Sequence, residues 1–204
     1  APGYVVTERS PLKPRSPFGR SKYITEMILK DFCNAYGMRC ITLRYFNPIG
    51  ADPQTRHELP HKAGSNILEK LVKILKYEER QFVISGDDWD TRDGTCIRDY
   101  IHVNDLAQAH ILAMEYLAKG GESDVFNLGN GVGFTVKEVI ETAREVTKHP
   151  IPAKEEQRRA GDPSVLIASS DKAKNVLGWK PQFADLSVII KTAWEWHVNH
   201  PSGY

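Results

Sequence analysis

From Ser21 to Tyr36 the apolar residues Ile24, Met27, Ile28 and Phe32 return at three- and four-residue intervals, and Gly37 follows. Period and stop signal together predict an amphipathic helix closed by a left-handed cap. Behind it, MRCITLRYF is β-branched and aromatic and runs into Asn47-Pro48, which predicts a strand feeding a loop. A polar stretch, ADPQTRHELPHKAGS, leads to a second helix from Asn66 to about Glu78, with Leu68, Leu71, Val72 and Leu75 on one face. QFVIS is a strand candidate, Gly86 to Thr95 is acidic and turn-rich, and CIRDYIHV is extended. A helix from Asn104 then carries Leu106, His110, Ala113 and Leu117 until Gly120-Gly121 stops it, which makes His110 an expected core histidine. VFNLGN supplies another strand. Thr135 and Glu138 are spaced as a capping box for a helix bearing Val136, Val139, Ile140 and Ala143, and helices around 171–177 and 186–197 complete the pattern.

Strands alternating with helices in this order indicate an α/β fold, with the loop-rich later half as a smaller α+β lobe. A doubly wound dinucleotide domain would open with a strand, a Gly-rich turn and a helix, and nothing ahead of Ser16 supplies them. GNGVGF, from Gly129 to Phe134, imitates that fingerprint between a strand and a helix. Phe134 stands where the third glycine belongs and no βαβ unit with an acidic residue at the end of its second strand follows, so the stretch reads as a strand-to-helix turn.

Composition changes this picture little. In 204 residues, 41% are apolar and 26% charged, with a net charge of +1, which excludes a disordered tail or a nucleic-acid coat as the main role. No apolar run approaches a bilayer span, and APGYVVTERS lacks the basic and apolar regions of a signal peptide, so no membrane role is expected. Cys33, Cys40 and Cys96 form no CxxC pair and leave one over after any bridge. They predict neither a disulfide framework nor a zinc site, and point to a reducing cytoplasm. No His, Cys, Asp or Glu cluster has metal-ligand spacing.

Five ordered stretches carry more: SPFGRSK, LRYFNPIGADP, IRDYIHVNDLA, FNLGNGVGF, and RRAGDP with LGWKP after it. In this order and spacing the chain resembles the extended short-chain dehydrogenases that act on nucleotide sugars, most closely the UDP-glucose 4-epimerase family. The resemblance implies NAD as cofactor, a UDP-sugar substrate, a homodimer in the complete protein, and a cytoplasmic isomerase interconverting UDP-galactose and UDP-glucose by oxidation and reduction at C4. It also implies that this is the C-terminal portion of such an enzyme, with the first half of the Rossmann-type domain lying upstream. Residues from about 1 to 60 would then be a remnant of that domain, and about 61–204 mainly the nucleotide-sugar lobe with interleaved Rossmann elements.

Site residues follow by the same resemblance. Family members carry a Tyr and a Lys four residues apart on one helical face, the phenol exchanging the proton of the sugar 4-hydroxyl while the ammonium lowers its pKa. Phe18 stands in the Tyr position and cannot exchange a proton; Lys22 keeps the spacing. No other Tyr has a Lys four residues later, so an inactive or impaired chain is expected. Tyr45 and Phe46 would line the nicotinamide end beside Lys22. Asn47 would bond the diphosphate, although an Asn at a strand end is also an ordinary turn former. Arg98 and Arg159 match arginines that clamp the pyrophosphate, for which a planar fork suits phosphate oxygens. Asp162 would accept from the ribose hydroxyls, Asn66 and Ile67 would cradle the uracil, and Leu166 would stand beside the hexose. Val83 and Tyr100 would touch the nucleotide, with simple core packing as their other reading. Arg158 reads as surface, and no residue is expected to bind a metal. Two rivals remain open: a dehydratase or decarboxylase of the same superfamily, and a non-catalytic nucleotide-sugar-binding protein, for which Phe18 speaks.

Overall fold

Six helices and nine strands alternate along residues 5–54, 67–75 and 80–200, the part of the chain that the computed structural model describes. Strand β1 (Val5–Val6) precedes helix α1 (Pro17–Tyr36), β2 (Ile41–Tyr45) and β3 (Asn47–Ile49). Next come α2 (Ile67–Leu75), β4 (Phe82–Ser85), β5 (Ile97–His102), α3 (Val103–Ala118) and β6 (Asp124–Leu128). The order ends with β7 (Gly133–Thr135), α4 (Val136–Thr147), β8 (Ala153–Glu156), β9 (Val165–Ala168), α5 (Asp171–Leu177) and α6 (Leu186–Asn199).

The strand pairings are parallel, except that β7 runs antiparallel to β5. One sheet has the order β1-β9-β5-β3 with β7 joining β5, while β2 pairs with β6 and β4 with β8. The fold is thus α/β, as the alternation predicted. Asn47-Pro48, however, does not open a loop. Phe46 alone separates β2 from β3, and β3 pairs with β5 in the register Asn47↔Tyr100, Pro48↔Ile101, Ile49↔His102. Proline fits there because β3 lies at the end of its sheet, where a missing N–H costs no ladder bond.

Alternation along β5 builds two cores with one wall. Tyr100 enters the first, with Ile49, Leu71, Phe82, Val139, Ile140 and Ile189; Ile101 faces the second, with Ala109, Phe126, Leu128, Leu177 and Trp179. The capping box forms as its spacing predicts: Thr135 Oγ1 accepts from Glu138 N, and Glu138 Oε2 accepts from Thr135 N.

His110 does not take its expected place in the core. His110 is exposed, because the buried stripe of α3 is Asp105, Ala109 and Ala113, and residue 110 lies about 100° further round the helix. His102 is the fully buried one. Its Nδ1 accepts from Asn104 N at 3.1 Å and so caps a helix that begins at Val103. The proton therefore sits on Nε2, which donates to Thr192 Oγ1 at 3.0 Å, and that hydroxyl donates onward to Ile189 O. The ring also stacks on Phe183 at 4.1 Å. Burial holds the pKa of His102 below its usual value.

The GNG turn holds a carboxylate of the protein itself. Asp99, fully buried, accepts from the backbone N–H groups of Asn130 (2.8 Å), Gly131 (3.1 Å) and Ala168 (3.0 Å). A Cβ on Gly129 would collide with that carboxylate. Desolvation pushes the Asp99 pKa up against the pull of those three donors.

Helix α1 is well specified at both ends. Ser16 Oγ accepts from Gly19 N at 3.0 Å, Pro17 opens the first turn, and Gly37 closes the last with φ +64°. None of its residues is buried, and Ile24, Met27, Ile28 and Phe32 remain about half exposed. The predicted stripe exists, but nothing among the described residues covers it. Among the described residues, no helix is long and apolar enough to cross a membrane.

Candidate active site

Phe18 and Lys22 lie one turn apart at the start of α1, with the Lys22 ammonium 5.2 Å from the Phe18 ring centroid. They share a cleft of about 570 Å³ with Tyr45, Phe46, Pro48 and His110. The predicted catalytic pair and the predicted nicotinamide wall therefore meet on one side of α1 and β2. The ring of Phe18 is 72% exposed, so the cleft is open toward it. Glu26, on the same stripe as Lys22, receives Arg44 of β2 through Nε at 2.8 Å and Nη2 at 2.6 Å. This two-pronged bond fixes how α1 lies on the strand and holds the Arg44 pKa above its ordinary value.

Phe46 is the crossing point. Its N–H donates to Leu128 O at 3.2 Å, still within reach of the β2–β6 pair, while the next residue, Asn47, already pairs with Tyr100 on β5. Arg98 lies two residues before Tyr100 on the same face of β5 and is registered with Leu166 on β9. The sheet thus lines up Asn47, Tyr100, Arg98 and Leu166 across three adjacent strands. Arg98 is half-buried and donates through Nη1 to Ile97 O at 2.8 Å. Tyr100 is 2% exposed, belongs to the first core, and has its phenol pKa driven up by burial.

Cys96 lies just ahead of β5, two residues before Arg98. Burial raises the pKa of that thiol, Arg98 and Arg159 pull it down, and Asp162 pushes it up, so all three charged groups act on one point. Arg159 is exposed on the segment between β8 and β9, and Asp162 is half-buried there. Val83 is half-buried on the face of β4 opposite the core residues Phe82 and Ile84. Ile67 packs partly against the first core at the start of α2. Asn66 lies outside the described residues.

Sequence reasoning passed over two groups here. Arg158, read as surface, stacks its guanidinium 4.0 Å above Trp89 and bonds Asp88 Oδ1 at 2.6 Å as well as Asp88 O. It pins the segment bearing Arg159 and Asp162 to the loop after β4, and holds the Asp88 carboxyl below its usual range. Strand β9 was the other omission, though VLIA between Asp162-Pro163 and Ser169-Ser170 is a short apolar run bounded by turn residues. A second cleft, of about 610 Å³, lies along α6 between Val146, Trp194 and Val198 and contains none of the predicted site residues.

The comparisons with known proteins agree with one another. The family model described as GDP-mannose 4,6 dehydratase matches residues 2–191. The UDP-glucose 4-epimerase of Halalkalibacterium halodurans is 48% identical over 199 residues, covering 98% of this chain and 60% of that protein. The Streptococcus mutans UDP-glucose 4-epimerase is 45% identical with the same coverage. The chain spans about 60% of the length of the curated relatives it matches. Among solved structures, a UDP-glucose 4-epimerase superposes with a TM-score of 0.92 at 44% identity, covering 98% of this chain and 61% of the other. The Bifidobacterium longum UDP-glucose 4-epimerase in complex with NAD+ and UDP superposes with a TM-score of 0.88 at 35% identity, covering 98% and 60%. The chain belongs to the GDP-mannose 4,6 dehydratase family of the short-chain dehydrogenase superfamily, together with the UDP-glucose 4-epimerases.

Proposed function

We propose that this chain is the substrate-gripping, Lys22-bearing part of a UDP-hexose 4-epimerase that uses NAD. The observation that carries the reading is the one-residue passage at Phe46. It ties the cleft of Phe18, Lys22, Tyr45 and Phe46 to the row of Asn47, Tyr100, Arg98 and Leu166. The epimerase relatives, one of them holding NAD+ and UDP, support it. Residues up to about 60 would contribute to a Rossmann-type half completed by further chain, and the remainder would form most of the nucleotide-sugar lobe.

Each residue has a task in this reading. The cleft beside Lys22 has aromatic walls and a cation at one side, which fits a flat heteroaromatic ring held near an ammonium. NAD bound there would supply reversible hydride acceptance at C4 of the sugar. Lys22 would bond the cofactor's ribose and lower the pKa of any neighbouring acid. Arg98 and Arg159 would grip the diphosphate through paired N–H groups, and Asn47 would donate its amide to the same oxygens. Asp162 would accept from the ribose hydroxyls, Asn66, Ile67, Val83 and Tyr100 would bound the base, and Leu166 would limit the sugar. Phe18 has no hydroxyl, so the proton of the 4-hydroxyl has no acceptor at that position, which by itself removes about 10²–10⁴-fold in rate. Phe18 also favours the second reading, a nucleotide-sugar-binding protein without turnover. Three aspects of the setting belong to the same proposal: a cytoplasmic site of action, a homodimer supported by the bare stripe of α1, and a UDP-sugar rather than nucleic acid or membrane as partner.

Two measurements test it. UDP should bind this chain in calorimetry, and Arg98→Ala should weaken that binding about tenfold or more; no heat with UDP would sink the reading. In the whole protein, Phe18→Tyr should raise UDP-galactose epimerisation by about 10²–10⁴-fold. Unchanged turnover with UDP still bound would favour the non-catalytic reading.

A further inference from the structure

The half-buried positions of α1 are Gly19, Glu26, Leu29 and Cys33, a stripe that faces β2 and also contains Lys22. At its far end Cys33 meets Cys40, which directly precedes β2. Their sulfurs are 3.0 Å apart and neither is bridged. Ser123 holds both. Its hydroxyl accepts from Cys40 N at 3.0 Å and donates to Cys33 Sγ at 3.8 Å. The pair lines an open cleft of about 560 Å³ together with Tyr23, Lys30, Asn34 and Val125, so a small oxidant can reach it.

We propose that Cys33 and Cys40 are a reversible redox pair whose disulfide staples the end of α1 to the start of β2. The sulfurs need to approach by about 1 Å to reach bonding distance, a movement within the reach of side-chain rotation. A peroxide supplies the oxidising equivalents. One thiol is oxidised to a sulfenic acid as the peroxide O–O bond breaks and water leaves; the other sulfur, as thiolate, then attacks it and expels a second water. Two thiols and one hydrogen peroxide thus give one disulfide and two waters. Burial and the neighbouring Cys33 hold the Cys40 thiol above its usual pKa. Cys96 lies apart from this pair, beside Arg98 and Asp162, and has no role in the bridge.

The staple acts where α1 is weakest. No residue of α1 is buried, and among the described residues its polar ties include the Glu26–Arg44 pair, the Ser123 hydroxyl on Cys33 Sγ and, just beyond its end, the Arg39 Nη1 bond to Gly121 O at 3.1 Å. Locking Cys33 fixes the rotation of the helix about its axis, and so the direction in which the Lys22 position points, about 16 Å away along the same stripe.

The experiment treats this chain with hydrogen peroxide and reads it by mass. We expect loss of two hydrogens, a single cross-linked peptide pair containing Cys33 and Cys40, Cys96 still open to alkylation, and full reversal by dithiothreitol. Amides in the last turns of α1 should exchange at least about tenfold more slowly in the oxidised form. Cys33→Ser should abolish both effects and Cys96→Ser neither. A bridge involving Cys96, accumulation of sulfinic acid without a bridge, or a bridge that leaves α1 exchange unchanged would each overturn the proposal.

Discussion

Helices α1 and α4 are both amphipathic and both carry side-chain N-caps, yet one is packed into a core and the other is not. α4 sets Val139, Ile140 and Ala143 into the first core and packs against α6. α1 is longer, has a weaker apolar stripe, and buries none of it. The difference teaches that periodicity reports a face built for burial and says nothing about what covers it. It follows that α4 is held by packing and α1 chiefly by its caps and by the bonds of Glu26 and Arg39.

Substitution separates the two most sharply. Ile140→Ala should cost about 3 kcal/mol in urea unfolding, because it deletes buried methyl groups and leaves a cavity. Ile28→Ala on the open stripe should change stability by less than about 0.5 kcal/mol. Equal losses would mean that the α1 stripe is covered in solution. Cap removal should follow the same division at smaller scale. Thr135→Ala takes away both the α4 cap and a partner of Asp93, for about 1–2 kcal/mol globally. Ser16→Ala should leave the global midpoint in place and speed amide exchange only in the first turn of α1.

The smallest effect is a pH slope. The folded pKa of His102 lies below its unfolded value of about 6.5, so the unfolded chain binds the proton more readily. Its contribution should be complete above that pH and decline as the pH falls through the window beneath it. Asp99, with its raised pKa, works in the opposite sense nearer the carboxylate range, so the His102 slope is best read at the upper end of the window. His102→Gln should flatten the slope; an unchanged slope would place its origin elsewhere.

The sequence made most elements legible because their signals are local. The stripe and cap of α1, the Thr135–Glu138 box and the β-branched run of β2 each lie within a few residues. What stayed hidden depends on distant partners. Asn47-Pro48 reads as a stop until β5 offers Asn47 a place opposite Tyr100, and β8 is exposed along its length, so no alternation marks it. His110 was placed inside because a helical stripe known only by period leaves its phase uncertain by a residue, and the buried position is Ala109. For the site, five ordered stretches pointed to Phe18, Lys22, Tyr45 and Phe46, which share a cleft. Arg158 escaped because its partner Trp89 lies 69 positions earlier, and no pattern within a window of one helix or strand connects them.

The passage from β2 to β3 leaves no slack. Since neighbouring side chains on an extended strand point to opposite sides, inserting one residue beside Phe46 would turn the Asn47 amide to the wrong face or force β3 out of step with β5. The cleft of Phe18 and Lys22 and the row of Asn47, Tyr100 and Arg98 are therefore geared to one another by a single tooth.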